Sequence, residues 1–245
     1  MKRLAVIPAR WGSTRLPGKA LAEIAGRPMI EHVWQRARRA KEVDDVWIAT
    51  DDERIAAVAR GFGAHVAWTS PSHASGTDRV EEAARASDAE VIVNVQGDEP
   101  ELDPAQVDQV VTTLLERRDG HELAVATLAF RLGSAEQLAD PSVVKVVMDR
   151  AGRALYFSRA PIPYDRAGGG ALGERHHGHV GIYAFRRAAL ARFVALSRGP
   201  LESLESLEQL RFLENGIAIG VGITSHRTIG VDTPEDLERV RAAMA

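Results

Sequence analysis

The chain has 245 residues, 45% hydrophobic and 27% charged, with 31 Lys and Arg against 34 Asp and Glu and no cysteine. That length suits one large α/β domain, alone or carrying an insert, and buries a sizeable core without cross-links. The balance excludes a disordered chain, the formal net charge of −3 excludes a global basic field for nucleic acid, and the missing cysteine excludes disulfides, thiolate catalysis and cysteine-bound zinc.

Leu4 to Ile7 is a short apolar run that predicts a first strand, followed by a segment rich in Gly, Pro and basic residues from Pro8 to Gly18. Pro8 and Arg10 interrupt this run too early for a secretory signal, and no stretch approaches the eighteen apolar residues of a membrane span, so a cytoplasmic location is expected. Met29 to Ala40 has helical spacing, with Met29, Ile30, Val33, Trp34 and Ala37 on one face. Val46 to Ala49 predicts the next strand, Glu53 to Arg60 a helix stopped by Gly61 and Gly63, and His65 to Trp68 a third strand. Arg79 to Ala86 is helical and Val91 to Val95 is a strongly apolar strand. Strands alternating with helices indicate a mostly parallel sheet covered on both faces, with ligands beyond the strands' carboxyl ends. Those ends carry Arg10, Asp51 and Asp98.

The second half is less regular. Strands are expected over Leu123 to Phe130, Val143 to Met148, Val180 to Phe185 and Ile217 to Val221. Gly168-Gly169-Gly170 marks a loop, and apolar residues at 201, 204, 207, 210 and 213 fit an amphipathic helix from Leu201 to Glu214. The chain reads as a single domain, its core formed by 1–130 and 204–245 and an inserted lobe by 131–203.

The segment Pro8-Ala9-Arg10-Trp11-Gly12-Ser13-Thr14-Arg15-Leu16-Pro17-Gly18-Lys19 is the most informative. A glycine-bearing loop after a strand can turn backbone N–H groups toward phosphates, and Arg10, Arg15 and Lys19 offset most of a triphosphate's charge. It is not a Walker loop: Gly12 and Gly18 are separated by five residues rather than four, and Ala20 stands where a magnesium-binding hydroxyl is needed. The dinucleotide pattern Gly-x-Gly-x-x-Gly is absent from this loop as well.

This loop resembles the signature of sugar nucleotidyltransferases, and in its details the 3-deoxy-manno-octulosonate cytidylyltransferase family. The resemblance continues through Ser75-Gly76-Thr77-Asp78-Arg79, Asn94 to Pro100, Leu155 to Arg159, Gly181-Ile182-Tyr183 and Gly230 to Leu237, across nearly the whole chain. It implies a Rossmann-like three-layer α/β sandwich with a mostly parallel sheet, the nucleotide-diphospho-sugar transferase fold, with an inserted sugar-binding and dimerisation lobe. It also implies CTP and 3-deoxy-manno-octulosonate as substrates, a place in lipopolysaccharide core synthesis, and a homodimer.

Magnesium prefers one or two carboxylates plus phosphate oxygens. Asp98, after a buried-looking strand, and Asp232, before Thr233-Pro234 as N-cap and first helical residue, are the candidate ligands. The resemblance assigns them the catalytic metal and leaves Glu99 and Asp236 in supporting roles. It implies that Pro8, Ala9, Arg10, Lys19, Ser75, Gly76, Thr77, Arg79, Gln96 and Asp98 bind CTP, although Ser75 or Thr77 suits a helix cap equally well. It places Arg159, Arg166, His179, Gly181, Tyr183, Glu208 and Gln209 around the sugar acid. Without it, Glu208 and Gln209 read as solvated helix positions. His176, His177 and His179 match no strong metal spacing and read as a loop cluster.

Three positions depart from the family pattern: Gly178 where Arg or Lys is common, Asp78 where Glu is expected, and a shorter loop at Gly168 to Gly173. These leave room for an octulosonate bearing an amino group, or another ulosonate. The expected reaction is attack of the sugar's C2 hydroxyl on the α-phosphorus of CTP, with Arg10, Arg15 and Lys19 stabilising the departing pyrophosphate. No nucleophile stands beside a base, so no covalent enzyme intermediate is expected. A regulatory nucleotide-binding protein without catalysis is the reading from another class; the two aspartates together with the loop cations weigh against it.

Overall fold

The computed structural model describes residues 1–12, 16–166, 172–226, 228 and 230–244. Arg15 and the Gly168-Gly169-Gly170 segment lie outside the described residues. The chain separates into two compact units, Met1–Asp108 with Thr228–Ala245, and Gln109–Arg227.

The first unit is built on four parallel strands, β1 Arg3–Pro8, β2 Asp45–Thr50, β3 His65–Trp68 and β4 Val91–Asn94, in the order β4-β1-β2-β3. Leu4 to Ile7 and all four residues of β4 are buried, as continuous apolar runs in a sheet covered by helices should be. Helices α1 Met29–Ala37, α2 Glu53–Gly61 and α3 Gly76–Arg85 connect them. The apolar face of α1 is the expected one, Met29, Ile30, Val33, Trp34 and Ala37.

Helix α3 starts three residues before the expected Arg79, because Ser75 and Asp78 form a reciprocal capping box. The Ser75 hydroxyl accepts the Asp78 N–H at 3.2 Å, and the Asp78 carboxylate accepts the Ser75 N–H at 3.0 Å. Asp78, the departure from glutamate, therefore completes a cap. The C-terminal helix Pro234–Ala243 starts the same way, with Thr233 and Asp236 as the pair and Pro234 in the first turn. Its Leu237 and Val240 join Ile24, Met29 and Val231 in one apolar cluster.

The second unit holds β5 Val125–Arg131, β6 Lys145–Met148, β7 Ala154–Ser158, β8 His177–Arg186 and β9 Ile219–Thr224, in the order β7-β6-β8-β5-β9. Only the β5–β9 pair is parallel among these. The boundaries expected at 130/131 and 203/204 fall inside this unit. The reason is strand pairing: β5 is bonded along its length to both β8 and β9, so it and β9 belong with the segment between them.

The expected helix from Leu201 to Glu214 is two short helices, Pro200–Glu205 and Leu210–Glu214. Ser206 breaks it with a left-handed backbone, φ 53° and ψ 47°. Apolar residues spaced by three fall about 60° short of a turn at each step, so they cannot share one face of a straight helix. Leu201 and Leu204 are accordingly exposed, whereas Leu207 and Leu210 are buried. No helix among the described residues is long and apolar enough to cross a membrane.

Candidate active site

The carboxyl ends of β1 and β4 open into a cavity of about 250 Å³, lined by Pro8, Ala9, Arg10, Lys19, Ser75, Gly76, Arg79, Gln96, Asp98 and Asp232. Among the described residues, these are the ones expected on the nucleotide side, apart from Thr77. Thr77 is buried and does not line the cavity; its hydroxyl accepts from Asn94 Nδ2 at 3.3 Å. Ala20, Gly97, His73 and Ala74 line the cavity too, though the sequence gives none of them a binding role. Gly97 lies inside a quoted motif, and the other three stand beside one.

Two glycines shape this cavity. Gly18 has φ +70°, and a Cβ there would lie 2.9 Å from the Trp11 ring. Its N–H donates to the Trp11 carbonyl at 3.1 Å, closing the turn that delivers Lys19, while the Arg54 guanidinium lies over the Trp11 ring. Gly97 passes so close to β1 that a Cβ would sit 2.9 Å from the Pro8 carbonyl oxygen.

At the cavity wall the Lys19 ammonium donates to Asp98 Oδ2 at 2.6 Å, Asp232 Oδ1 at 3.0 Å and the Val231 carbonyl at 3.2 Å. Burial pushes this ammonium toward neutrality, but the two carboxylates more than offset it and hold its pKa above the ordinary lysine value. The aspartate segments are also joined through the backbone, Val231 N–H donating to the Asp98 carbonyl at 2.8 Å. Asp236 Oδ2 accepts the backbone N–H groups of Asp232 and Thr233 at 3.2 and 3.0 Å, so the capping box also orients Asp232. Glu99 accepts from the Thr228 hydroxyl at 2.8 Å; burial and then the Asp98 charge raise its pKa to about 7. Asp98 and Asp232 fit a hard cation, since both carboxylates already converge on one positive centre.

Arg79 is nearly buried and pairs with Asp51 at 3.1 Å while donating to the Thr69 hydroxyl. Burial lowers its pKa and Asp51 opposes that. Arg10, by contrast, is exposed at the rim.

The residues expected around a sugar acid lie in the second unit. His179 Nε2 lies 3.0 Å from the Thr127 hydroxyl, which also lies 2.7 Å from the Ile182 carbonyl and 3.1 Å from that of Val180. The single hydroxyl proton goes to a carbonyl, so Nε2 donates and Nδ1 is the acceptor. Burial lowers the His179 pKa to about 3, keeping the ring neutral. The ring meets Phe157 edge-on at 5.0 Å and Tyr183 at 5.4 Å. Burial and then the Glu208 charge push the Tyr183 phenol well up. Gly181 lies where the β5–β8 register shifts, between Val180 and Tyr183.

Gln209 is buried in the turn between the two short helices and Glu208 is half-buried there, so neither is a solvated helix position. Arg159 donates from Nε to the Glu205 carbonyl at 2.9 Å and from Nη1 to the Pro141 carbonyl at 3.0 Å. Arg166 is exposed. The three histidines are not a loop cluster: His177 and His179 belong to β8, and His176, just before it, bonds the Pro163 carbonyl at 3.0 Å. Gly178 is accounted for by Phe130, whose ring would lie 2.4 Å from a Cβ at that position.

A parallel-sheet cavity with a lysine and two aspartates at its wall defines a nucleotidyltransferase of the α/β class. Residues 4–219 match the family described as Cytidylyltransferase, and the chain belongs to that family. It is 54% identical over 248 residues to the 3-deoxy-manno-octulosonate cytidylyltransferase of Anaeromyxobacter sp. strain Fw109-5, covering 100% of this chain and 98% of the relative. The corresponding protein of Solibacter usitatus strain Ellin6076 is 51% identical over 239 residues, covering 98% and 93%. Among solved structures, a CMP:2-keto-3-deoxy-manno-octonic acid synthetase complexed with CTP is 45% identical, with a TM-score of 0.93 and coverage of 100% of this chain and 98% of the other. A 4-diphosphocytidyl-2C-methyl-D-erythritol synthase from Anaerococcus prevotii, 15% identical with a TM-score of 0.65 and coverage of 99% and 97%, shares the fold alone.

Proposed function

We propose that this chain transfers the cytidylyl group of CTP to 3-deoxy-manno-octulosonate, releasing diphosphate and activating the sugar acid for lipopolysaccharide core synthesis. The observation that carries this reading is the Lys19–Asp98–Asp232 cluster on the wall of the first unit's cavity. It occurs in a chain 51% identical, almost end to end, to a curated 3-deoxy-manno-octulosonate cytidylyltransferase.

In the reaction the C2 hydroxyl oxygen forms a bond to the α-phosphorus, the bond from that phosphorus to the bridging oxygen of the β-phosphate breaks, and the hydroxyl proton passes to solvent. Asp98 and Asp232 would hold a magnesium ion, whose contribution is to neutralise phosphate charge and acidify the attacking hydroxyl. Lys19 stays protonated at neutral pH and stabilises charge on the departing diphosphate, with exposed Arg10 beside it and Arg15 in the same role by its place in the motif. Pro8, Ala9, Ser75, Gly76, Arg79 and Gln96 form the walls against which the nucleotide lies. Arg159 and Arg166 take the sugar carboxylate; Gly181, Tyr183, Glu208 and Gln209 surround its hydroxyls, and neutral His179 accepts one at Nδ1. A homodimer and a cytoplasmic location belong to the same reading, and light scattering tests the first.

Diphosphate release from CTP and magnesium, with and without the sugar acid, tests the assignment. Release that depends on 3-deoxy-manno-octulosonate is expected. Intact CTP binding without release would redirect the acceptor to an amino-octulosonate or another ulosonate.

A further inference from the structure

The turn bearing Glu208 and Gln209 is held from both sides by acidic side chains. On its far side Arg211 donates from Nε and Nη2 to the two carboxylate oxygens of Glu202, at 2.7 and 2.6 Å, and Glu202 is buried. On its near side stands Glu205, the last residue before the left-handed Ser206. Glu205 Oε1 accepts from the Ser158 hydroxyl at 2.6 Å, and Oε2 accepts from the Arg159 N–H at 3.0 Å. Its own peptide carbonyl accepts from Arg159 Nε at 2.9 Å.

One residue thus engages Arg159 twice, through main chain and guanidinium, and fixes the end of β7 through Ser158. The other end of the Arg159 guanidinium is fixed too. Nη1 donates to the Pro141 carbonyl, and this turn is held from beneath by Lys145, which lies opposite Ser158 in the β6–β7 ladder. The Lys145 ammonium is wholly buried and donates to the Asp140 and Val143 carbonyls at 2.8 and 2.6 Å. The brace runs from the Pro141 turn through Arg159 and Glu205 to the Glu208–Gln209 turn.

We propose that Glu205 is a positioning residue for sugar-acid recognition. It holds the cation that takes the acceptor's carboxylate in one fixed relation to the two polar side chains that take its hydroxyls. The proposal rests on the acceptor reading above. A guanidinium on a free four-bond stem would have to be ordered when the sugar acid binds; here two carbonyls order it beforehand and the Glu205 carboxylate fixes the main chain that carries it, which favours binding of a rigid polyhydroxy acid. Glu205 touches neither substrate in this scheme, so its effect falls on acceptor affinity.

Steady-state kinetics of Glu205→Gln against the unchanged protein test this, together with CTP affinity by calorimetry and the melting temperature. An amide in place of the carboxylate turns one acceptor into a donor facing the Ser158 hydroxyl or the Arg159 N–H. The KM for 3-deoxy-manno-octulosonate should rise about tenfold, with CTP affinity within about twofold of the original. Ser158→Ala, which deletes one bond of the brace, should raise the same KM by about threefold. The double variant should fall short of the product of the two effects, because both substitutions act on one bond. An acceptor KM unchanged in Glu205→Gln would overturn the proposal; if that variant does not fold, an unchanged KM in Ser158→Ala would do so. Equal losses of CTP and acceptor affinity would also overturn it, since they indicate general disorder. If the unchanged protein released no diphosphate with this acceptor, the acceptor reading would fail first, and that outcome is distinct from any of these.

Discussion

Lys19 Nζ lies 2.6 Å from Asp98 Oδ2, and the same ammonium reaches Asp232. Three residues from remote parts of the chain therefore meet at one charge centre. Replacing Asp98 by Asn keeps the shape and removes one negative charge from the wall. Turnover at saturating magnesium should fall by about a hundredfold or more. Steady-state diphosphate release measures it, and unchanged turnover would remove Asp98 from the metal assignment.

Gly18 carries two constraints at once, a left-handed backbone and contact with the Trp11 ring. Gly18→Ala should destabilise the protein by about 1–3 kcal/mol and weaken CTP binding, because the strain falls on the turn that delivers Lys19. Denaturant melts and calorimetry with CTP check both effects. A fully stable variant with native CTP affinity would show that the turn tolerates a side chain.

Gly178 has no room for a side chain, because Phe130 occupies the space it would need. Gly178→Arg alone should cost about 2 kcal/mol or more of stability. Combined with Phe130→Ala, the same substitution should cost less than the sum of the two single changes. A double-mutant cycle in urea reads this coupling, and strict additivity would separate the two positions.

His179 is held neutral, with a folded pKa of about 3 against an ordinary value of 6.5. The unfolded chain takes up this proton first as pH falls. The contribution is therefore fully present above about pH 6.5 and is lost on acidification, at about 1.4 kcal/mol per pH unit down to about pH 3. Glu99 acts in the opposite sense: its raised pKa gives a contribution present below about pH 4.5 and lost as pH rises through about 7. The comparison that isolates the histidine is the pH dependence of melting for the unchanged protein and His179→Gln. The variant should lose the histidine's share of the acid-side slope, leaving that of carboxylates such as Asp52, Glu82 and Asp149; equal slopes would mean that His179 titrates normally.

Periodicity and composition made the parallel half of the fold legible, because a strand buried on both faces needs a continuous apolar run and an amphipathic helix needs one apolar face. The same local logic found the Pro8 to Lys19 loop, the Thr233-Pro234 helix start and the two aspartates. It failed from Leu201 to Glu214, where a period of three resembled one helix but the left-handed Ser206 ends the first of two. It also begins α3 too late, since Ser75 and Thr77 suit ligand contact and cap alike, whereas the cap pairs Ser75 with Asp78. By itself, then, the sequence determined the element types of the parallel half, the charge of the Pro8 to Lys19 loop and the family. Only the tertiary structure decided that Lys19, Asp98 and Asp232 converge, that β5 and β9 join the second unit, and that Arg159 is braced by Glu205. Those outcomes depend on pairings between segments far apart along the chain, and local spacing carries no record of which remote partner a hydrogen-bonding group will find.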